Sequence, residues 1–268
     1  MQIDSNKIKI FQSKIRKFYR THGRELPFRM NDDPYAVTVS EIMLQQTQVD
    51  RVVPKYQSWL KEFPTWERLS EASNQSILSH WSGLGYNRRA LYLKKIAEII
   101  IEKHNGNMPS DNIELQKLPG IGKYTSHAIM IFAFEKRVAA VDINIRKVLL
   151  STFKLSPDTS EIETQKLAEL VLPKTKNREW HYALMDYAKT LSREVHQKYK
   201  SKYRQSKFEG SIRQIRGEII RQLTKKKSIP EKDLSVKMNR NQIDTNKALT
   251  SLVREKIVTV TNNRVKLI

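Results

Sequence analysis

The stretch Leu118–Thr125 reads LPGIGKYT and is followed by VDINIRKVL at residues 141–149. A helical pattern stops before the glycines, Gly120 and Gly122 permit the positive φ angles of a tight turn, and a new helix begins at about Lys123. The amides at such a helix start, next to a lysine, predict a phosphate-binding corner. The alternative is an ordinary helix–helix corner, because the PGxG pattern is common.

The chain as a whole is strongly basic. It carries 49 Lys and Arg against 28 Asp and Glu, a net charge of +21 at pH 7. Such a charge attracts polyanions through its long-range field and through counterion release, so nucleic acid is the first candidate partner. A generally basic protein, or one that binds a membrane surface, is the alternative. At 268 residues and 39% hydrophobic content, the chain suits one large or two ordinary domains.

Two absences narrow the class of protein. No stretch reaches the roughly 18 apolar residues that span a bilayer, and the first residues lack the apolar core of a signal peptide. We therefore expect a soluble, intracellular protein of the cytoplasm or nucleoid, or of the nucleus in a eukaryotic host. The chain has no cysteine, which excludes disulfides, thiolate metal sites and cysteine nucleophiles.

Helical periodicity dominates from about residue 7 to residue 199, interrupted by turn signals such as NDDP at residues 31–34. The pattern predicts a mainly α fold with about ten helices in this region. Serines that we interpret as helix caps are Ser40, Ser160, and either Ser70 or Ser73.

The end of the chain has a different pattern. Residues 198–208, KYKSKYRQSKF, read as a basic linker, and residues 209–268 contain three amphipathic helix patterns followed by two alternating strands around an Asn-Asn turn. This is the outline of a small winged-helix-like α+β domain. Residues 198–268 carry 19 Lys and Arg against 6 Asp and Glu, which favours nucleic-acid contact. A solvated basic face, or a winged helix that binds protein, is the alternative.

Taken alone, the two acids next to these motifs are ambiguous. Asp142 reads as a helix cap, and Glu41 as an exposed glutamate in a first helical turn. Their ordered context is more specific. The order LPGIGKYT, then AAVDINIRKVL, resembles the helix-hairpin-helix and Asp element of the endonuclease III superfamily of DNA glycosylases. Residues 23–56, GRELPFRMNDDPYAVTVSEIMLQQTQVDRVVPKY, and residues 81–93, WSGLGYNRRALYL, resemble the MutY-type adenine glycosylases. The resemblance runs from about residue 11 to residue 192, and implies a two-lobed helix-hairpin-helix glycosylase core over residues 1–197.

The resemblance implies that Glu41 and Asp142 form the catalytic pair. Cleaving a base from deoxyribose generates an oxocarbenium-like sugar, so one acid protonates the departing base while a carboxylate stabilises the positive charge. By this resemblance Glu41 is the acid, Asp142 the stabiliser and Asn144 a supporting amide. Relatives that also nick the backbone use a lysine nucleophile where this chain has Tyr124, which cannot form a Schiff base. We therefore expect a monofunctional glycosylase.

Reaching a base inside a duplex requires flipping it out of the stack. By resemblance Gln46 fills the gap, Tyr86 inserts beside the opposite base, and Gly120, Gly122 and Lys123 bind a phosphate. The base pocket that the resemblance implies comprises Arg24, Leu26, Phe28, Arg29 and Tyr182. The usual residue at Phe28 is a tryptophan, and a phenylalanine stacks but donates no hydrogen bond.

One departure from the family concerns the cofactor. The family normally carries four cysteines that hold an iron–sulfur cluster, and the corresponding positions here are Ser192, Tyr199, Lys202 and Phe208. We therefore expect no iron–sulfur cluster and no other cofactor or metal. The basic stretch at residues 198–204 is expected to face DNA in its place.

A second departure concerns the substrate. Tyr182 stands where adenine-specific relatives usually have Gln or Glu, and thymine mismatch glycosylases also lack that residue and carry a tyrosine at the position of Tyr124. The sequence LQQTQV at residues 44–49 favours adenine as the excised base. We predict removal of adenine opposite guanine or 8-oxoguanine. Removal of thymine or uracil opposite guanine is the alternative, and a non-catalytic mismatch-binding protein is a second one. The expected partner is double-stranded DNA with a mispaired or damaged base, bound by a monomer.

Overall fold

A computed structural model describes residues 3–200 and 207–268, and this part of the chain is mainly helical. Its helices are α1 (Ser5–His22), α2 (Pro34–Leu44), α3 (Val49–Glu62), α4 (Trp66–Glu71), α5 (Asn74–Trp81), α6 (Arg88–His104), α7 (Asn112–Lys117), α8 (Lys123–Phe132), α9 (Ile143–Thr152), α10 (Glu161–Leu170), α11 (Asn177–Tyr187), α12 (Arg193–Lys198), α13 (Ile212–Lys225), α14 (Asp233–Met238) and α15 (Gln242–Arg254). Its strands are β1 (Ile229–Pro230), β2 (Val258–Thr261) and β3 (Arg264–Leu267). None of the helices described is long and apolar enough to cross a membrane. The mainly helical prediction is confirmed.

The chain forms two compact units. The first comprises Met1–Glu41, Pro109–Lys117 and Ile121–Arg204. In it α1 packs against α11, and α9 contacts both α10 and α11. The core between them includes Phe11, whose ring lies edge-on to Trp180 at 5.6 Å, together with the fully buried Ile15, Val148 and Leu149. These residues recur at helical spacing, which is why the sequence pattern reveals the helices that hold them.

The starts of the helices follow the capping rules, with one correction. Ser160 begins α10 with a complete capping box, and Ser73 caps α5 by accepting a hydrogen bond from the amide of Ser76. The prediction for Ser40 is wrong, because Ser40 lies inside α2 and its hydroxyl donates to the carbonyl of Val37. The helix begins at Pro34 instead, where the carboxylate of Asp33 accepts from two amides of the first turn.

The second unit comprises Ile42–Met108, Leu118–Gly120 and Gln205–Ile268. Trp59 and Trp81 are fully buried and meet edge to face at 5.5 Å. Helix α4 packs against α6, and α13 packs against both α5 and α15. Residues 211–268, here called the C-terminal segment, therefore share a unit with α3 to α6. The division of the chain at residues 198–208 stays a prediction, and residues 201–206 of that stretch lie outside the described residues.

The C-terminal segment contains the three helices and the hairpin expected from its sequence. Strands β2 and β3 pair antiparallel, with Val258 opposite Leu267. The connecting Asn262 and Asn263 have φ angles of 51° and 55°, the left-handed pair that a two-residue hairpin turn requires. The sequence did not reveal the short strand β1, which pairs with β3 to complete a sheet of order β1-β3-β2.

Candidate active site

The turn with the two glycines of the LPGIGKYT stretch lies between α7 and α8. Gly120 has a φ of +79°, and a Cβ there would lie 2.6 Å from a ring carbon of Tyr92, so this position requires glycine for two independent reasons. Gly122 differs, because it is the N-cap of α8 with an extended backbone (φ −93°, ψ −178°), and a Cβ there would have no neighbour within 4 Å. The positive φ expected of both glycines therefore occurs only at Gly120. Lys123 is exposed in the first turn of α8, whose amides lack intrahelical acceptors.

Asp142 is at once a helix cap and a member of a polar cluster. One carboxylate oxygen accepts from the amide of Ile145 at 2.7 Å, and the other accepts from the side-chain amide of Asn144 at 2.9 Å. Burial raises the pKa of Asp142, whereas these two donors oppose that rise by favouring the anion. The capping role predicted from the sequence is present, but it also fixes the direction in which the carboxylate points.

Glu41 is not the exposed first-turn residue that its context suggested. It lies inside α2 and is only 8% exposed. Burial, and secondly the negative charge of Asp142, raise the pKa of its carboxyl from 4.5 to about 8, and Arg29 partly opposes the rise. The carboxyl of Glu41 is therefore mostly protonated at neutral pH, while the amide donors around Asp142 favour the anionic form of that residue.

Two tyrosines share this environment. Burial raises the pKa of Tyr124 well above its ordinary value, and the nearby Glu41 and Asp142 add to the effect. The ring of Tyr182 stacks on Phe132 with centroids 4.5 Å apart and planes within 3°. The guanidinium of Arg29 lies 4.5 Å from the centroid of the Tyr182 ring. Packing thus holds Tyr182 firmly, and burial, followed by the charge of Glu41, raises its pKa too.

A buried carboxylate that the sequence did not reveal organises the arginines of this region. Asp186 on α11 accepts two hydrogen bonds from the guanidinium of Arg29, at 2.7 and 3.0 Å, and pairs with Arg24 at 2.6 Å. Burial alone would raise the pKa of Asp186, but the donors from Arg29 and Arg24 outweigh it and lower that pKa. Leu26 precedes the 3-10 turn at Pro27–Arg29 and is half-buried, and Phe28 within the turn is buried. No local sequence pattern indicates the role of Asp186, since its partners lie more than 150 residues away in sequence.

In the second unit two turns carry the residues expected to enter DNA. Gln46 and Tyr86 have φ angles of 56° and 47°, a conformation uncommon for large side chains. The buried guanidinium of Arg89 joins these turns, since it donates to the carbonyl of Gln45 at 2.6 Å and to that of Gly85 at 3.1 Å. It also donates to the carbonyls of Ile42, Met43 and Leu84 and to the hydroxyl of Thr47. The structure therefore adds Arg89 as the residue that braces both turns.

In this chain other residues occupy the positions at which the family carries its cluster cysteines. The hydroxyl of Ser192 caps α12. Tyr199 is buried, and its hydroxyl donates to the carbonyl of Leu155 at 3.0 Å, whereas Phe208 is 60% exposed. Lys202 lies outside the described residues, as does most of the stretch expected to face DNA. These side chains do not fit an iron–sulfur cluster, because none supplies a thiolate. Within residues 3–200 and 207–268, no group of three His, Asp or Glu is placed to hold a metal ion.

Comparison with known proteins agrees with this arrangement. Residues 39–174, which include Glu41, the hairpin and Asp142, match the model of the "HhH-GPD superfamily base excision DNA repair protein". The chain belongs to this superfamily. Among curated relatives, the adenine DNA glycosylase of Buchnera aphidicola subsp. Baizongia pistaciae is 39% identical over 66% of this chain and 51% of that protein. The thymine/uracil-DNA glycosylase of Methanothermobacter thermautotrophicus is 31% identical over 69% of this chain and 85% of that protein.

A solved DNA glycosylase has a similar fold over about two thirds of this chain. A thermostable thymine-DNA glycosylase superposes with a TM-score of 0.64 and 31% identity, covering 69% of this chain and 88% of the other. This chain spans a smaller share of the Buchnera adenine glycosylase, about half of its length. The expected membership in the helix-hairpin-helix glycosylases is confirmed.

Proposed function

We propose that the protein is a monofunctional DNA glycosylase that hydrolyses the N-glycosidic bond of adenine mispaired with guanine or 8-oxoguanine. The observation that carries the proposal is the buried carboxyl of Glu41, whose pKa of about 8 leaves it protonated at neutral pH, in a cluster with Asp142, whose anionic form two amide donors favour. A proton donor and an anion in one cluster are what departure of a base from deoxyribose requires.

In the proposed reaction Glu41 donates its proton to the departing base. The bond between the base and the sugar then breaks with its electron pair moving to the base, which leaves an electron-poor sugar. The resulting carboxylate of Glu41 can next accept a proton from water that attacks the sugar carbon. A raised pKa suits this double role, because the group is a better base after it has acted as an acid.

Asp142 is the group we assign to the positive charge on the sugar. Its direction is set by the amides of Ile145 and Asn144, so its carboxylate needs no reorganisation as charge develops. Tyr124 lies close enough to both acids for their charges to raise its pKa. A phenol of raised pKa offers no amine for a Schiff base, which supports base removal without strand cleavage.

DNA contacts complete the proposal. The first turn of α8, with Gly120, Gly122 and Lys123, supplies amides and a charge for one phosphate, which would position the duplex without reading its sequence. Gln46 fills the gap left by the flipped base, and Tyr86 enters beside the opposite base. We expect the protein to act as a monomer on double-stranded DNA inside the cell.

A second candidate function is removal of thymine or uracil opposite guanine. The observation that favours it is Tyr182, an aromatic ring held between Phe132 and Arg29 where adenine-specific relatives usually carry Gln or Glu. Arg29, Arg24, Leu26 and Phe28 belong to the proposed base pocket in either case. The adenine reaction remains our first proposal, because several curated adenine glycosylases are 32–39% identical to this chain.

One experiment separates the candidates. Single-turnover assays would use duplexes with one A·G, A·8-oxoguanine, T·G or U·G pair, followed by alkali to reveal abasic sites. We expect excision of adenine, with the strand left intact before alkali. Glu41→Gln is expected to bind the same duplex without excision, and Glu102→Gln, which changes an exposed glutamate, is the matched control. Excision of thymine or uracil alone would replace the first proposal by the second, and full turnover by Glu41→Gln would refute the mechanism.

A borohydride assay tests the absence of strand cleavage. Wild-type protein is expected to give no covalent adduct with DNA under borohydride. An adduct in high yield would show that another amine of the chain performs the lyase step that Tyr124 cannot.

A further inference from the structure

Residues 136–141, here called the approach segment, lead directly into Asp142. The segment belongs to no helix or strand of the described chain, yet Ala139 and Ala140 within it are each only 1% exposed. Backbone amides and carbonyls that are buried outside regular structure need partners elsewhere, because leaving them unpaired is costly. The approach segment therefore depends on side chains from other parts of the first unit.

Two helices hold the carbonyl of Ala139. Nδ1 of His127 on α8 lies 2.8 Å from this carbonyl oxygen, and the side-chain amide of Gln165 on α10 donates to it at 2.9 Å. A carbonyl oxygen can only accept, so the contact with His127 requires a proton on Nδ1. The approach segment is thus attached to α8 and α10 through a single peptide group.

The amide of Ala140 is held from α11. It donates to Nε2 of His181 at 3.1 Å, and Nδ1 of His181 lies 2.8 Å from the carbonyl of Asn177. Since Nε2 accepts, the ring proton must be on Nδ1, which donates to that carbonyl. Burial is the main cause that lowers the pKa of His181 to about 4. The ring is therefore neutral at neutral pH, and Nε2 can serve as an acceptor.

Helix α11 contributes further contacts from both of its ends. The side-chain amide of Asn177, in its first turn, donates to the carbonyl of Val138 at 3.0 Å and also to that of Lys136. Asp186, in its last turn, accepts from the guanidinium of Arg29, the cation that opposes the rise in the pKa of the general acid. One helix therefore holds both the path into the anion of the site and the arginine near the acid.

We propose that His181 is a positioning residue for the excision reaction, because its bond to Ala140 fixes the place at which the chain delivers Asp142. The donors Ile145 and Asn144 set the direction of the carboxylate, but both lie after Asp142 in the chain. His181 acts from the other side, on the backbone that precedes it. An anion that stabilises a developing charge is most effective when its position is fixed in advance.

The inference rests on the proposed function, since it takes Asp142 to stabilise the positive charge on the sugar. The attachment of the approach segment can nevertheless be measured without DNA, from hydrogen exchange of the Ala140 amide. That measurement tests the role of His181 separately from catalysis.

The test uses the full-length protein with two substitutions of equal length. His181→Gln keeps an acceptor for the Ala140 amide, whereas His181→Met does not. We expect His181→Met to raise exchange at Ala140 on the order of tenfold. We also expect it to slow single-turnover excision by about tenfold or more, with unchanged affinity for a duplex that carries a tetrahydrofuran abasic analogue. His181→Gln is expected to restore both exchange and rate.

Thermal unfolding of each variant would define a temperature at which all of them are folded. His22→Met is the control, because it removes an exposed histidine at the end of α1, and it is expected to change neither measurement. Should His181→Met fail to fold, Gln165→Met replaces a half-buried side chain of the same attachment. It is expected to act in the same direction but more weakly, since His127 still holds Ala139.

Unchanged exchange at Ala140 in His181→Met would overturn the proposal, as would excision as fast as that of His181→Gln. Equal losses of rate and affinity would also overturn it, because they would indicate a general effect on the fold. A wild-type protein that excises no base would refute the proposed function. The comparison of exchange between the two variants would then still decide whether His181 holds the approach segment.

Discussion

Replacing Glu41 by glutamine is expected to stabilise the protein in alkaline solution. Burial, and then the charge of Asp142, raise the pKa of Glu41 from 4.5 to about 8. Between these two values the folded chain holds a proton that the unfolded chain has released, so the free energy of unfolding falls as pH rises. Glutamine has a similar size and does not ionise, and the variant therefore avoids this loss.

The size of the effect follows from the two pKa values. Each pH unit between 4.5 and 8 lowers the stability of the wild-type protein by about 1.4 kcal/mol relative to the variant. The variant is then expected to be more stable by about 3 kcal/mol near pH 6.5, and by about 5 kcal/mol above pH 8. Near pH 5 the two proteins are expected to agree within about 1 kcal/mol.

Urea unfolding followed by tryptophan fluorescence, from about pH 5 to about pH 9, would measure this difference. Glu102→Gln, which removes an exposed carboxylate, is the matched control for the loss of one acidic side chain. If the gap between wild type and Glu41→Gln were the same at every pH, Glu41 would not have the raised pKa on which the mechanism depends.

Four further outcomes are expected. Above about pH 8 excision is expected to fall tenfold per pH unit, because only protonated Glu41 can donate; a single-turnover rate that stays constant well above that pH would require another acid. Gly120→Ala is expected to cost about 1–3 kcal/mol in urea unfolding, because of its φ of +79° and the ring beside it, whereas Gly122→Ala changes stability little; equal effects would contradict the geometry. Asp186→Asn is expected to cost about 3–5 kcal/mol by leaving the buried charge of Arg29 without its anion, and a loss below about 1 kcal/mol would show that the pair contributes little. Elemental analysis of the purified protein is expected to find no stoichiometric iron, because the chain has no cysteine to bind an iron–sulfur cluster. Recovery of a full cluster would refute this expectation.

The features that could be predicted from the sequence are those with local signals. Helical periodicity located most helices, and the Asn-Asn turn located the hairpin, because both depend on residues near each other in the chain. The start of α2 was harder, since Ser40 and Glu41 look like a cap and a first-turn acid. The Asp33-Pro34 pair begins the helix earlier, and burial of its later turns converts Glu41 from a surface residue into a group of raised pKa.

The parts of the candidate site that could not be predicted from the sequence depend on partners far away in the chain. Asp186 acquires its importance from Arg24 and Arg29, which approach it only after the chain has folded. Arg89 likewise looks like one basic residue in a basic helix. Its role follows from carbonyl groups more than forty residues away, and such acceptors have no signature in the sequence.

The bracing by Arg89 has a consequence for how this protein can change. The turns of Gln46 and Tyr86 share the guanidinium of Arg89, which donates to carbonyls in both, so the geometries of the two turns are coupled. A substitution that alters the geometry of one turn alters the hydrogen bonds available to the other. The roles proposed for Gln46 in filling the gap and for Tyr86 beside the opposite base are then expected to change together under loop mutations.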